Sequence, residues 1–209
     1  MLAWTLDAVE LAPSVREVVV VSGDHTDTAI RELLDAGPWH RPTRIVKGGS
    51  KRHDSVMAGV RAVSGELDLV LIHDAARPLV TADLFESCAR AARTLGAAIV
   101  AVPVSDTIKR VIDGEVVETI PRDELWSAQT PQGFRRDLLL DASRRAASRD
   151  VDFTDEASLL EHLGYTVKVV PGTPSNIKVT HTVDLDVADA LLRRRNKGVD
   201  GSHGRDRNH

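Results

Sequence analysis

Cysteine is almost absent: Cys88 stands alone in 209 residues. One thiol closes no intrachain disulfide and builds no multi-cysteine zinc cluster, which fits a reducing compartment. Its setting in an apparent helix suits a core residue better than a nucleophile. No apolar run approaches the roughly 20 residues of a membrane span. The N-terminus also lacks the basic region and apolar stretch of a secretory signal. A basic excess is missing as well. The 27 Lys and Arg are outnumbered by 31 Asp and Glu, for a net charge of −4 and a pI near 6.1, so there is no nucleic-acid footprint and any anion site must be local. These absences predict a soluble, cytoplasmic protein with neither nucleic acid nor membrane as a partner.

What is present is enough chain for one α/β domain with a substantial core. Its centre is Leu69-Val70-Leu71-Ile72-His73-Asp74-Ala75-Ala76-Arg77-Pro78. Four apolar residues without polar alternation suit a strand covered on both faces, and they stop abruptly at His73-Asp74. Ligands of open α/β sheets bind beyond the carboxyl ends of the strands, so Asp74 and Arg77 stand where a ligand would be met. The alternative is a strand end whose Asp caps a turn and whose Arg pairs with it.

On either side, apolar strands alternate with amphipathic helices. A helix over residues 2–11 precedes a buried strand at Glu17–Val21. A helix over 27–35, with Asp24 or Thr26 as its cap, ends at Gly37-Pro38, and a short strand follows at Thr43–Val46. Gly48 and Gly49 then lead into a helix carrying Val56, Val60 and Val63. Paired glycines let backbone approach a ligand closely, and the helix N-terminus behind them attracts anions. A helix over 82–95, capped by Thr81 and closed by Gly96, precedes an apolar strand at Ala97–Val102. This βαβ series predicts a mainly parallel, doubly wound sheet.

The pattern changes after Pro103. Thr107–Ile112 and Glu115–Ile120 flank Asp113-Gly114, a strong two-residue hairpin signal. An isolated hairpin is marginal in water, so this arm either packs on a second subunit or folds back on its own domain. Helices are expected over 136–149 and 155–163, a strand at Thr166–Val170, and an extended piece at Asn176–Thr180. The last helix runs from about Val183 to Arg195 with Val183, Val187, Ala190 and Leu191 inward. Residues 196–209, nearly devoid of apolar side chains, read as a disordered tail, leaving one domain over 1–195 with its arm at about 105–122.

Several separated stretches carry a resemblance. Gly49-Ser50-Lys51-Arg52-His53-Asp54-Ser55-Val56, His73-Asp74-Ala75-Ala76-Arg77-Pro78, Asp106-Thr107-Ile108-Lys109, Leu125-Trp126 with Gln129-Thr130-Pro131-Gln132, Thr154-Asp155-Glu156-Ala157-Ser158 and Asn176-Ile177-Lys178-Val179-Thr180 occur in that order. Together they resemble the 2-C-methyl-D-erythritol 4-phosphate cytidylyltransferase family of non-mevalonate isoprenoid synthesis. The likeness spans residues 1 to about 195. A related family acting on ribitol 5-phosphate shares much of the pattern, and the Ala75-Ala76 form leans towards the methylerythritol enzymes.

The resemblance implies a Rossmann-like nucleotidyltransferase fold and a CTP-dependent reaction with Mg²⁺ held mainly by the triphosphate. It implies a homodimer through the 107–120 arm. Gly49, Ser50 and Ser55 would hold the cytosine, and Asp74, with Arg77 beside it, would meet the ribose or the metal-bound phosphates. Thr154 and Lys178, with Thr180, would face the sugar phosphate, and Lys178 would act in the transition state. Thr107, Arg122 and Thr130 would surround the same phosphate, partly from the neighbouring subunit. Each has a plainer role open to it: Thr154 as a helix cap, Arg122 as a solvated loop charge, Thr107 as a strand residue with a locally satisfied hydroxyl.

Family members begin with a strand, a Gly-rich loop and a Pro-Lys-Gln segment ahead of the helix at Met1-Leu2. That unit, about 30 residues long, would cradle the triphosphate and bring a second lysine. Either the start of this sequence is misplaced or truncated, or the loop is truly lost. Without it the 209-residue chain is expected to bind CTP weakly if at all and to form no CDP-linked product, and the competing reading is a catalytically dead sugar-phosphate-binding dimerisation partner. Loss of a central strand would also leave two inner strands with unpaired edges.

Overall fold

The computed structural model of the chain describes residues 1–146 and 153–200. Helix α1 (Leu2–Glu10) leads to β1 (Val18–Ser22), α2 (Asp27–Ala36), β2 (Thr43–Lys47), α3 (Arg52–Ala62) and β3 (Leu69–Ile72). Then come α4 (Ala82–Leu95), β4 (Ala97–Pro103), the hairpin β5 (Ile108–Ile112) and β6 (Glu115–Ile120), and β7 (Trp126–Arg135). The chain continues through α5 (Arg136–Ala146), α6 (Glu156–His162), β8 (Lys168–Pro171) and α7 (Thr182–Asp200). Local chemistry sets many of these limits. The Thr81 hydroxyl accepts the Leu84 amide at the start of α4, and Gly96, at φ 91°, ends that helix in a conformation an L side chain resists.

The strands order as β3-β7-β4-β8, with β1-β2 and β5-β6 as separate pairs. The fold is α/β as expected, but more mixed than a βαβ series implies. β1 and β2 run parallel, as do β4 and β8, while β7 lies antiparallel to both β3 and β4. Strand β7 carries no clear strand signal, because Pro131, Gly133 and three buried polar residues, Gln129, Thr130 and Gln132, interrupt it. Tertiary pairing overrides that local weakness. Opposite Val100, β7 bulges: Ile99 pairs with Gln132 and Ala101 with Ala128, so Gln129, Thr130 and Pro131 share one partner position.

β1 and β3 each have one strand partner among the described residues, and their other edges line a single cavity of about 740 Å³. Val18–Val21 and Leu69–Ile72 form its sides, α3 covers one face through Val56 and Val60, and α1 and α4 cover the other through Leu6 and Phe85. The expected pair of bare inner edges is thus present. The main apolar clusters lie on opposite sides of the sheet, one against α1 and α4 and one against α3, α5 and α6.

Two expectations need correction. Helix α7 runs to Asp200, beyond the limit expected at Arg195, and residues 147–149 and 201–209 lie outside the described residues. Its inward face is Ala188 and Leu192, packed on Leu79, Ile177 and Val179, whereas Val183 and Val187 are exposed and only Leu191 of the expected set is partly buried. One residue turns a helix face by about 100°, and the apolar pattern there is too sparse to choose the face without its partner.

Candidate active site

The site forms where β3 ends, beside the β7 bulge and the 173–180 loop. Asp74 follows β3 and is half-buried. Its Oδ2 lies 2.9 Å from Lys178 Nζ, which the loop carries in across the strand end. Burial works against the Asp74 carboxylate, but the Lys178 ammonium hydrogen-bonded to it, together with Arg52 and Arg77, outweighs burial and holds its pKa below the ordinary carboxylate value.

Behind this pair is a partly buried polar network. The Thr130 hydroxyl accepts the Asp74 amide at 3.1 Å and donates to His73 Nδ1 at 2.9 Å, while His73 Nε2 donates to the Arg77 carbonyl at 3.3 Å. Burial pushes the His73 pKa down to about 4, so the ring is neutral at physiological pH, and the two contacts select its tautomer. Asn176 is fully buried. Its side-chain amide donates to Gln129 Oε1 and the Thr130 carbonyl, and its backbone carbonyl accepts Arg77 Nη1 at 2.8 Å. The Val179 amide donates to the Ala76 carbonyl, which fixes the loop carrying Lys178 to the turn carrying Asp74.

A second wall is the turn into α3. The Ser55 hydroxyl accepts the Gly49 amide at 3.1 Å, and Asp54 Oδ2 accepts the Lys51 amide at 3.3 Å, so the turn folds back on its helix. A Cβ on Gly49 would come within 2.3 Å of the Asp54 Cβ, which explains the glycine by close approach. The third wall is the start of α6. Asp155 caps it by accepting the Ser158 amide at 2.8 Å, and Gln132 of β7 donates to the other Asp155 oxygen at 2.8 Å, which anchors the exposed Thr154 hydroxyl beside it.

Three walls with a carboxylate, a lysine and a set of backbone and hydroxyl groups suit an anionic, multi-part substrate rather than nucleophilic catalysis. Among the described residues no group of three or more His, Cys, Asp or Glu is placed to hold a metal. The sequence profile of the family described as 2-C-methyl-D-erythritol 4-phosphate cytidylyltransferase (IspD) matches residues 1–194. The chain belongs to that family. It is similar to the 2-C-methyl-D-erythritol 4-phosphate cytidylyltransferase of Alkaliphilus oremlandii, at 42% identity over 95% of this chain and 85% of that protein. The protein of that name from Synechococcus sp. WH7803 is 45% identical over 93% of this chain and 87% of its own. Among solved structures, the 4-diphosphocytidyl-2C-methyl-D-erythritol synthase of Anaerococcus prevotii matches with a TM-score of 0.85 at 32% identity, over 92% of this chain and 88% of that one. The cytidylyltransferase of Thermus thermophilus matches with a TM-score of 0.78 at 34% identity, over the same shares of each chain.

Against this family background the expected site residues divide. Ser55 and Asp74 line one cavity with Arg52, Lys178 reaches Asp74 across the strand end, and the Arg52–Glu156 ion pair joins the turn carrying Thr154 to the start of α3, directly after Gly49 and Ser50. Thr130 lies within the structure behind Asp74, only 4% exposed. The Arg77 guanidinium is engaged by the Asn176 and Ala128 carbonyls, and Thr180 gives both its amide and its hydroxyl to Asp184. Thr107 and Arg122 stand at the base of the arm, where Arg122 donates to the Ser105 carbonyl. Sequence reasoning assigned no role to His73, Asn176, Arg52 or Glu156. No local signal marked Glu156, because an acidic residue in the first turn of a helix is ordinary and α6 also carries Ser158, Glu161 and His162.

Proposed function

We propose that the chain transfers a cytidylyl group from CTP to 2-C-methyl-D-erythritol 4-phosphate, giving 4-diphosphocytidyl-2-C-methyl-D-erythritol and pyrophosphate. The observation that carries this reading is the Lys178–Asp74 pair at the end of β3, in a chain that belongs to the cytidylyltransferase family along nearly its whole length. The acceptor phosphate is ionised at neutral pH, so its oxygen attacks the α-phosphorus of CTP directly. The new bond is P–O to the acceptor, the bond to the β-phosphate oxygen breaks, and the electron pair leaves with pyrophosphate. No protein nucleophile or base is required, and catalysis is positioning plus neutralisation of developing charge.

In this reading the Gly49–Ser55 turn holds the cytosine, Asp74 meets the ribose or the metal-bound phosphates, and Thr154 meets the acceptor phosphate. Lys178 stabilises the charge that builds up on the α-phosphoryl oxygens. Thr130, Arg77 and Thr180 serve differently from the direct contacts expected of them: their polar groups hold the Asp74 turn and the Lys178 loop in register. A divalent ion, which we read as Mg²⁺, fits a donor set of one carboxylate plus CTP phosphate oxygens, and when bound it supplies charge neutralisation at the leaving pyrophosphate.

A homodimer through the arm belongs to the same proposal. Asp113 and Gly114 take φ of 51° and 85°, the turn expected for a two-residue hairpin, and the arm leaves Val111, Ile112, Val116 and Val117 exposed. Such a surface suits association with a second copy burying more than about 1,000 Å², which would bring Thr107 and Arg122 to the neighbour's acceptor phosphate. We read residues 1–195 as one nucleotidyltransferase domain. No helix among the described residues is long and apolar enough to cross a membrane, and a cytoplasmic setting suits the buried Cys88 thiol, whose pKa burial raises to about 12.

The test is direct. The protein with CTP, Mg²⁺ and 2-C-methyl-D-erythritol 4-phosphate should form the diphosphocytidyl product, followed by phosphorus resonance and pyrophosphate release. Ribitol 5-phosphate should compete poorly. Preferred turnover of ribitol 5-phosphate would reassign the acceptor, and binding of the polyol phosphate without release of pyrophosphate would favour a non-catalytic binding partner.

A further inference from the structure

Glu156, the first residue of α6, is only 1% exposed, yet it carries a carboxylate. Its partners come from the opposite side of the site. Oε2 accepts Arg52 Nη1 at 2.6 Å, and Oε1 lies 3.7 Å from His53 Nδ1, while His53 Nε2 is 3.0 Å from Ser143 Oγ. Arg52 and His53 open α3, directly after the turn assigned to the cytosine. Glu156 follows Thr154 and Asp155, the turn assigned to the acceptor phosphate. The two turns are 104 positions apart in sequence, and this ion pair joins them.

A buried ion pair is a poor source of stability, since apolar groups of similar volume usually do as well; its better-attested use is to fix one arrangement. The two sides of this pair differ in a way that fits such a use. Glu156 is sealed from solvent, whereas the Arg52 side chain is 40% exposed at the cleft and its charge reaches Asp74, whose pKa it helps to lower. The guanidinium is planar and forked, so one end held by Glu156 sets the direction of the other.

We propose that Glu156 is a positioning residue for the reaction: through Arg52 it sets the spacing between the nucleotide turn and the acceptor turn, and so the approach of the acceptor oxygen to the α-phosphorus. The inference rests on the cytidylyltransferase reading above. Each ligand has its own wall, so loss of the pair leaves single-ligand binding nearly intact. What is lost is alignment, which appears in kcat.

The experiment is a double-mutant cycle on the full chain with Glu156→Gln, Arg52→Gln and both, reading kcat, the KM for each ligand and thermal stability. Turnover of methylerythritol phosphate by the native chain decides the cytidylyltransferase reading first, and a native chain without turnover overturns that reading and this inference with it. Given native turnover, each single variant should lower kcat about tenfold or more with both KM values within about twofold, and the double variant should fall no further than the worse single one. Arg52→Lys, which keeps the charge but not the fork, should recover part of the loss. Losses that multiply in the double variant, a change confined to KM, or native kcat in Arg52→Gln would overturn the inference. Arg52 lies partly in solvent, so that variant decides the matter alone if Glu156→Gln does not fold.

Discussion

Thr130 Oγ1 lies 2.9 Å from His73 Nδ1 and 3.1 Å from the Asp74 amide, so one buried hydroxyl joins the β7 bulge to the turn that carries the site's carboxylate. This places a neutral histidine, rather than a charged one, beneath Asp74.

That histidine makes stability depend on pH. Burial lowers the folded pKa of His73 to about 4, while the unfolded ring keeps a value near 6.5. Between these values the unfolded chain binds more protons, so stability rises with pH across the window and falls by about 3 kcal/mol from pH 6.5 to 4. Asp74 acts lower. Its folded pKa is depressed, so its contribution is present above the unfolded value near 3.9 and is lost as pH falls through the folded one. Thermal melts from pH 7 to 4 should show the His73 slope, and His73→Asn should flatten it. An equally steep slope in the variant would count against the assignment.

Lys178→Met removes the ammonium 2.9 Å from Asp74. Turnover should fall by about a hundredfold or more, the scale of losing one group that stabilises transition-state charge, with a smaller change in the KM for CTP. Steady-state kinetics with each ligand varied in turn checks the split.

The arm offers an oligomer test. Replacing Val116 and Val117, both exposed, with glutamate places charge on its apolar surface without touching the domain core. Sedimentation should show a dimer for the native chain and a monomer for the double variant, and turnover should drop if Thr107 and Arg122 serve the neighbouring site. A native monomer at micromolar concentration would remove the dimer.

Backbone exchange should report the two bare edges. The Val18 amide donates to the Pro42 carbonyl, on the β2 side, so by strand alternation the Val19 and Val21 amides point to the cavity. They should exchange far faster than Gln132 and Phe134, buried in β7 between two neighbours. Equal protection in β1 and β7 would mean that the cavity edge is covered.

Much of this molecule follows from local chemistry alone. The all-apolar run Leu69–Ile72 stopping at His73-Asp74, the Thr81 and Gly96 limits of α4, and the Asp113-Gly114 turn are each determined within a few residues, because caps, turns and periodicity act over one or two turns of chain. At the site, the Asp74 turn was legible as the end of an apolar strand, whereas Ser50, Ser55, Thr154 and Lys178 were legible only through the family resemblance of their ordered motifs. Tertiary structure alone decided that Gln129–Gln132 form a bulged central strand, that Thr130 faces His73, that α7 turns Ala188 and Leu192 inward, and that Glu156 reaches Arg52. Each joins residues distant in sequence, and a polar group buried at such a junction is stable only beside its partner, which no local pattern contains.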